Sequence, residues 1–189
     1  MRSREHINRY GQVWIETVLY TIIGLSIIAL VLSFAYPKIR TSQESLLIEQ
    51  SIATLNNLDK VITTVSERGP GNVKTYTFTI KRGRIIFEEK GESILLEIKG
   101  IKSEYSEPGV PISDGRVTLT TFEAQKGYTV ALVLNYTLAD GKKRIDMHVG
   151  DISLEEEIQE FAQAANPYVI SVIYGETPDS IIIEEGIVS

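Results

Sequence analysis

An α+β fold is predicted for this chain: a long N-terminal helix whose first half is built to span a membrane, then a mostly antiparallel β domain arranged as a sandwich or partly rolled barrel. Three observations carry the prediction. Val18 to Tyr36 runs nineteen residues without a formal charge, about the length needed to cross a hydrocarbon layer of roughly 30 Å. Beyond Pro37, the apolar residues Ile48, Ile52, Leu55, Leu58, Ile62 and Val65 recur at helical spacing as one stripe. From Lys74 onward, short runs alternate apolar and polar residues, and turns rich in glycine and proline separate them.

The length of 189 residues leaves room for a membrane segment plus one domain of roughly 100 to 150 residues. The expected organisation is a basic leader over 1–11, a helix over 12–68 with its spanning half at 18–36, and an extracytoplasmic β domain over 72–189. The formal charge is -6, with both signs interspersed, so a nucleic-acid partner is excluded from the expectation. No cysteine is present, which removes disulfides and thiolate metal sites.

The apolar run is apolar on every side, where a buried core helix needs only one apolar face. Arg2, Arg4 and Arg9 precede it, and Lys38 and Arg40 follow. That excess places the N-terminus on the cytoplasmic side and the bulk of the chain outside. The small-residue cleavage site of a secretory signal is missing around Ser33 to Pro37, so the apolar helix is expected to be retained. Glu16 stands one helical turn before the main apolar run. Either it lies at headgroup level near the helix N-terminus, or it neutralises a cationic group at the same depth.

The segment Arg9-Tyr10-Gly11-Gln12-Val13-Trp14-Ile15-Glu16-Thr17, followed by the apolar run, resembles the class III signal peptide of archaeal type IV pilin-like proteins. The motif itself spans about nine residues, and the wider likeness runs from Gln12 to Ser66. The resemblance implies that a prepilin peptidase cuts between Gly11 and Gln12, that Gln12 becomes the mature N-terminus, and that Glu16 is the fifth mature residue. It also implies that the Glu16 carboxylate pairs with the new α-amino group of an adjacent subunit, a charge-assisted contact that would set axial register. Val18, Ile22, Leu25, Ala29 and Leu32 would face membrane lipid first and the filament core later. The implied partners are the peptidase, a pilus assembly platform, and other copies of the chain or related pilins. The implied destination is a filament at the cell surface. Nothing in the C-terminal domain separates a major from a minor subunit, and a monomeric membrane-anchored binding or adhesive module is the alternative.

In the amphipathic half, Pro37 is expected to kink or locally break the helix, and Gly69-Pro70-Gly71 to end it. The stripe is expected to pack on the chain's own β domain, with packing against neighbouring subunits as the alternative and both together open to a pilin. Strands are expected at Lys74 to Lys81, Arg84 to Glu89, Ser93 to Ile98, Val117 to Phe122, Tyr128 to Leu138, Lys143 to Val149, Tyr168 to Tyr174 and Ser180 to Val188. Tyr105 to Gly115 reads as a loop. Asp140-Gly141 is the best hairpin signal, joining the strands on either side of it. Ser153 to Ala165 reads as a short helix, with Ser153 as cap and Glu156 as its reciprocal partner.

No catalytic constellation is expected. The two histidines are His6, in the leader, and His148, on the polar face of a strand, where a solvated surface role is the ordinary one. Glu155 to Glu157 and Glu184-Glu185 are acidic without the glycine-containing pattern of a calcium loop, and the glycines form no phosphate or dinucleotide fingerprint. No cofactor and no metal are therefore expected, and the chain is not expected to be an enzyme. Asn135-Tyr136-Thr137 matches the N-glycosylation acceptor pattern.

Overall fold

The structure is a computed structural model that describes residues 6–138, 140–150 and 158–186, with 6–12 as helical backbone. The chain divides between Gln43 and Glu44 into two compact units. One helix, α1 (His6–Arg68), is continuous over 63 residues and contains Pro37. The break expected at Pro37 is absent. A proline removes one hydrogen bond from a helix, and the turns on both sides keep theirs. The hydroxyl of Thr41 donates to the Pro37 carbonyl at 3.1 Å. The helix stops where expected: Gly69 takes a left-handed φ of 77°, and the Asn72 side chain caps the carbonyls of Arg68 and Gly69 at 3.1 and 2.9 Å.

Among the described residues ten strands follow: β1 (Val73–Phe78), β2 (Arg84–Glu88), β3 (Ser93–Ile101), β4 (Ile112–Asp114), β5 (Val117–Ala124), β6 (Gly127–Asn135), β7 (Asp146–Val149), β8 (Ile158–Ala162), β9 (Tyr168–Tyr174) and β10 (Ser180–Glu185). They form a four-stranded sheet of order β1-β9-β10-β7 and a six-stranded sheet of order β4-β5-β6-β3-β2-β8. Every pairing is antiparallel except β7 with β10. Neither sheet closes into a barrel. The alternation seen in the sequence becomes burial, with Ile94, Leu96 and Ile98 of β3 and Val130, Leu132 and Leu134 of β6 inside. The helical stripe from Ile48 to Val65 joins strands of both sheets in one buried cluster. It packs on the chain's own β domain, as its one-sided pattern predicts.

Two expectations are corrected. The segment expected to be a helix ends as edge strand β8, paired antiparallel with β2 from Ile158↔Glu88 to Ala162↔Arg84; Ser153 and Glu156 lie outside the described residues. Tertiary packing overrides local helical preference here. Phe161 meets Phe78, Phe87 and Tyr168 with ring centroids 5.8, 5.8 and 4.9 Å apart, and Arg84 of β2 bonds both Glu97 and Glu160. The second correction concerns the Asp140-Gly141 hairpin. A tight turn does form, with the Gly141 N–H donating to the Leu138 carbonyl at 2.9 Å, but pairing reaches only the bridge Thr137↔Lys143. The second arm then leaves for the other sheet, where β7 lies parallel to β10 and buries Met147 and Val149. In addition, β4 occupies the end of the expected loop over 105–115.

The turn before β2 supplies a test of backbone geometry. Gly83 has φ of 93°, and a Cβ there would collide with the carbonyl oxygen of Glu97 on β3. Gly83→Ala combines left-handed strain with a clash against backbone, so a loss of about 3 kcal/mol is expected. Gly109, at φ of 78° with open space around it, should lose only about 1 kcal/mol as alanine. Thermal melts of the two variants check the difference.

Candidate functional site

The residues singled out in the sequence fall in two places. Gly11 and Gln12 lie in the helical backbone of α1, and Glu16 follows on an exposed turn. Val18, Ile22, Leu25 and Leu32 are exposed by 38, 55, 61 and 59%, and Ala29 is exposed too. Their spacing of four, three, four and three residues puts them on one side of the helix. α1 is long and apolar enough to cross a membrane, and none of its most apolar window is buried within the chain. Three hydroxyls in that stretch bond back to their own helix: Thr17, Thr21 and Ser26 donate to the carbonyls of Val13, Thr17 and Ile22 at 2.9, 2.8 and 2.7 Å. Hydroxyls bonded back to their own helix need no water, which suits a lipid or protein surrounding. Gly24 has nothing within 4 Å of where a Cβ would stand, so it leaves room for a neighbouring backbone.

In the β unit, two carboxylates fasten the amphipathic half of α1. Glu44, 5% exposed, accepts hydrogen bonds from the backbone N–H groups of Lys102 and Ser103 and from the Ser103 hydroxyl, the last at 2.6 Å. Asp59, 8% exposed, receives the Tyr136 hydroxyl at 3.0 Å and Arg116 Nη1 at 3.1 Å. The Arg116 guanidinium lies 5.0 Å from the Tyr136 ring centroid, a cation–π contact. Burial, then the Asp59 charge, pushes the Tyr136 phenol far above its ordinary value, so it remains a donor. Both carboxylates sit at stripe spacing, Glu44 four residues before Ile48 and Asp59 four after Leu55. A charge at a stripe position was the available signal that these residues have partners across the core.

A second polar cluster guards the outer edge of β7. Glu92 and Glu89, from the turn between β2 and β3, accept the backbone N–H groups of Met147 and Val149 at 2.6 and 3.3 Å. Carboxylates from one sheet thereby cap the edge of the other, which blocks further strand pairing there. His148, expected as an isolated surface group, places Nδ1 3.0 Å from Glu89 and Nε2 3.7 Å from Asp146. Lys143 Nζ lies 2.6 Å from Glu92 and 2.5 Å from Asp146. The hydrogen bond from Lys143 lowers the Asp146 carboxyl, whereas burial raises that of Glu92 against the opposing pull of Lys143 and the Met147 N–H. Among the described residues, no group of three or more His, Cys, Asp or Glu side chains is placed to hold a metal ion. Glu184 is half-buried and Glu185 exposed; Glu155 to Glu157 lie outside the described residues.

Glu92 yields a prediction with a sign. Because its folded carboxyl titrates above the unfolded value, its contribution is fully present below the ordinary glutamate range and is lost as pH rises through the folded value. Glu92→Gln should therefore gain stability relative to the parent as pH rises above the ordinary glutamate range. Glu92→Ala, which strands the Met147 N–H, should be less stable than the glutamine variant by about 2 kcal/mol. Melts across and above that range check both.

Between α1 and β1 runs a cleft of about 460 Å³. Tyr76 to Arg82, seven consecutive residues, line one wall, and Leu47, Gln50, Ser51, Ala53, Thr54 and Asn57 of α1 line the other. Tyr76 to Phe78 of that wall are the end of β1, and Thr79 to Arg82 continue it beyond the strand. Two hydrogen bonds span the cleft, from Tyr76 to the Thr54 carbonyl and from Lys81 to Gln50, both at 2.8 Å. Asn135 is exposed at the end of β6 and borders the Asp59 site, its backbone carbonyl accepting Arg116 Nη2. Neither protein families, curated proteins nor solved structures give a match to this chain.

Proposed function

We propose that the chain is a structural subunit, a major or minor pilin, of an archaeal type IV pilus-like surface filament. The apolar half of α1 anchors the subunit in lipid before assembly and forms the filament core afterwards, and the β domain faces outward. The subunit performs no reaction of its own. It is cut by a prepilin peptidase at Gly11-Gln12, handled by an assembly platform, and completed by neighbouring pilins.

The observation that supports this reading is the contrast along one helix. From Ile48 to Val65 the apolar stripe is at most 6% exposed, whereas Trp14, Tyr20 and Phe34 are exposed by about 71, 71 and 72%. Apolar surface left open on that scale calls for lipid, other helices, or each in turn. The decisive experiment is terminal sequencing of the chain from its native host, together with microscopy of sheared surface material. A mature terminus at Gln12 and fibres containing the chain are the expected results. A terminus at Met1, or one near Pro37, would remove the pilin reading. The cleft beside β1 favours the second reading, an anchored adhesive module that stays monomeric; processed chain without fibres would select it.

A further inference from the structure

We propose that Asn135 is an N-glycosylation acceptor and carries a glycan on the folded domain, an inference that rests on the outward placement of the β domain. Asn135 is the last residue of β6, its side chain is exposed, and Thr137 stands two residues on, as the acceptor pattern requires. Around it the fold leaves one group to offer. The Asn135 side-chain oxygen accepts the Thr137 backbone N–H at 2.7 Å, and its backbone carbonyl accepts Arg116 Nη2 at 2.9 Å. The intervening Tyr136 is 1% exposed, with its hydroxyl on Asp59 and its N–H on the Glu92 carbonyl at 2.9 Å. The carboxamide oxygen is thus fixed in an Asx turn, and the nitrogen has no hydrogen-bond partner among the described residues.

That arrangement suits transfer from a lipid-pyrophosphate-linked oligosaccharide. The Asn135 Nδ2 to sugar C1 bond forms as the C1–O bond to pyrophosphate breaks. One amide proton leaves to a base, and the lipid pyrophosphate departs with the electron pair. Neither the side-chain oxygen nor the buried Tyr136 has to move for a glycan to extend into solvent, so the modified domain keeps its core.

An asparagine here also serves the turn alone, so the test must separate turn from acceptor. Asn135→Asp keeps an oxygen for the Thr137 N–H but offers no amide nitrogen. Thr137→Ala removes the acceptor pattern without touching Asn135, and Thr137→Ser retains it. Each chain is recovered from the native host, its domain is checked for protease accessibility on intact cells, and the mass of the peptide containing Asn135 is measured. The expected result is added sugar mass on the parent and on Thr137→Ser, with complete loss in the other two. An accessible parent domain whose Asn135 peptide has the bare mass overturns glycosylation and leaves the outward placement standing. A domain that no protease reaches on intact cells overturns the placement and the glycan together.

Discussion

Glu16→Gln should leave leader cleavage and membrane insertion intact while cutting the yield of sheared filaments by roughly two orders of magnitude. The magnitude follows from stranding one member of a buried ion pair, which costs about 3 kcal/mol or more. Glutamine keeps the shape of the side chain and removes only the charge that would attract a neighbouring α-ammonium. Position favours a selective effect, because Glu16 lies ahead of the uncharged run that drives insertion. The comparison is made in one host, scoring membrane-fraction abundance, processed terminus and fibre yield for parent and variant. Equal yields of equally long fibres would sink the register role. Failed cleavage would transfer Glu16 from assembly to recognition by the peptidase.

Asp59→Ala should lower the stability of the β unit by about 3 kcal/mol, since it removes the acceptor of the buried Tyr136 hydroxyl and the carboxylate facing Arg116, whose Nη2 alone stays bonded, to the Asn135 carbonyl. At roughly 2 to 4 °C per kcal/mol for a domain of this size, the melting temperature should fall by about 10 °C. Asp59→Asn keeps an oxygen within reach of Tyr136 and should lose much less. Tyr136→Phe removes one donor without stranding the carboxylate, because Arg116 stays 3.1 Å from Asp59. A melt of Asp59→Ala indistinguishable from the parent would show that the triad only decorates the helix–sheet contact.

The local patterns were legible wherever one periodicity acted alone. The stripe from Ile48 to Val65 announced a buried helix face, and the Gly69-Pro70-Gly71 stop matched the end of α1 at Arg68. Patterns with two possible partners were less informative. The expected helix over 153–165 contains Phe161, whose place among Phe78, Phe87 and Tyr168 exists only after β1, β2 and β9 have come together. Likewise, Asp140-Gly141 encodes a turn, but the registers available to its second arm are decided by β10 and by two glutamates more than fifty residues upstream.

By itself, the sequence determined that this protein has a membrane-length apolar helix continuing into a one-sided stripe, then alternating strands, because such features depend on residues within a few turns of one another. Only the tertiary structure decided the division into two sheets, the parallel join of β7 to β10, and the partners of Glu44, Asp59, Glu89 and Glu92. The physical reason is separation along the chain. A buried carboxylate is stable only beside donors that satisfy it, and here those donors lie between 51 and 77 residues away.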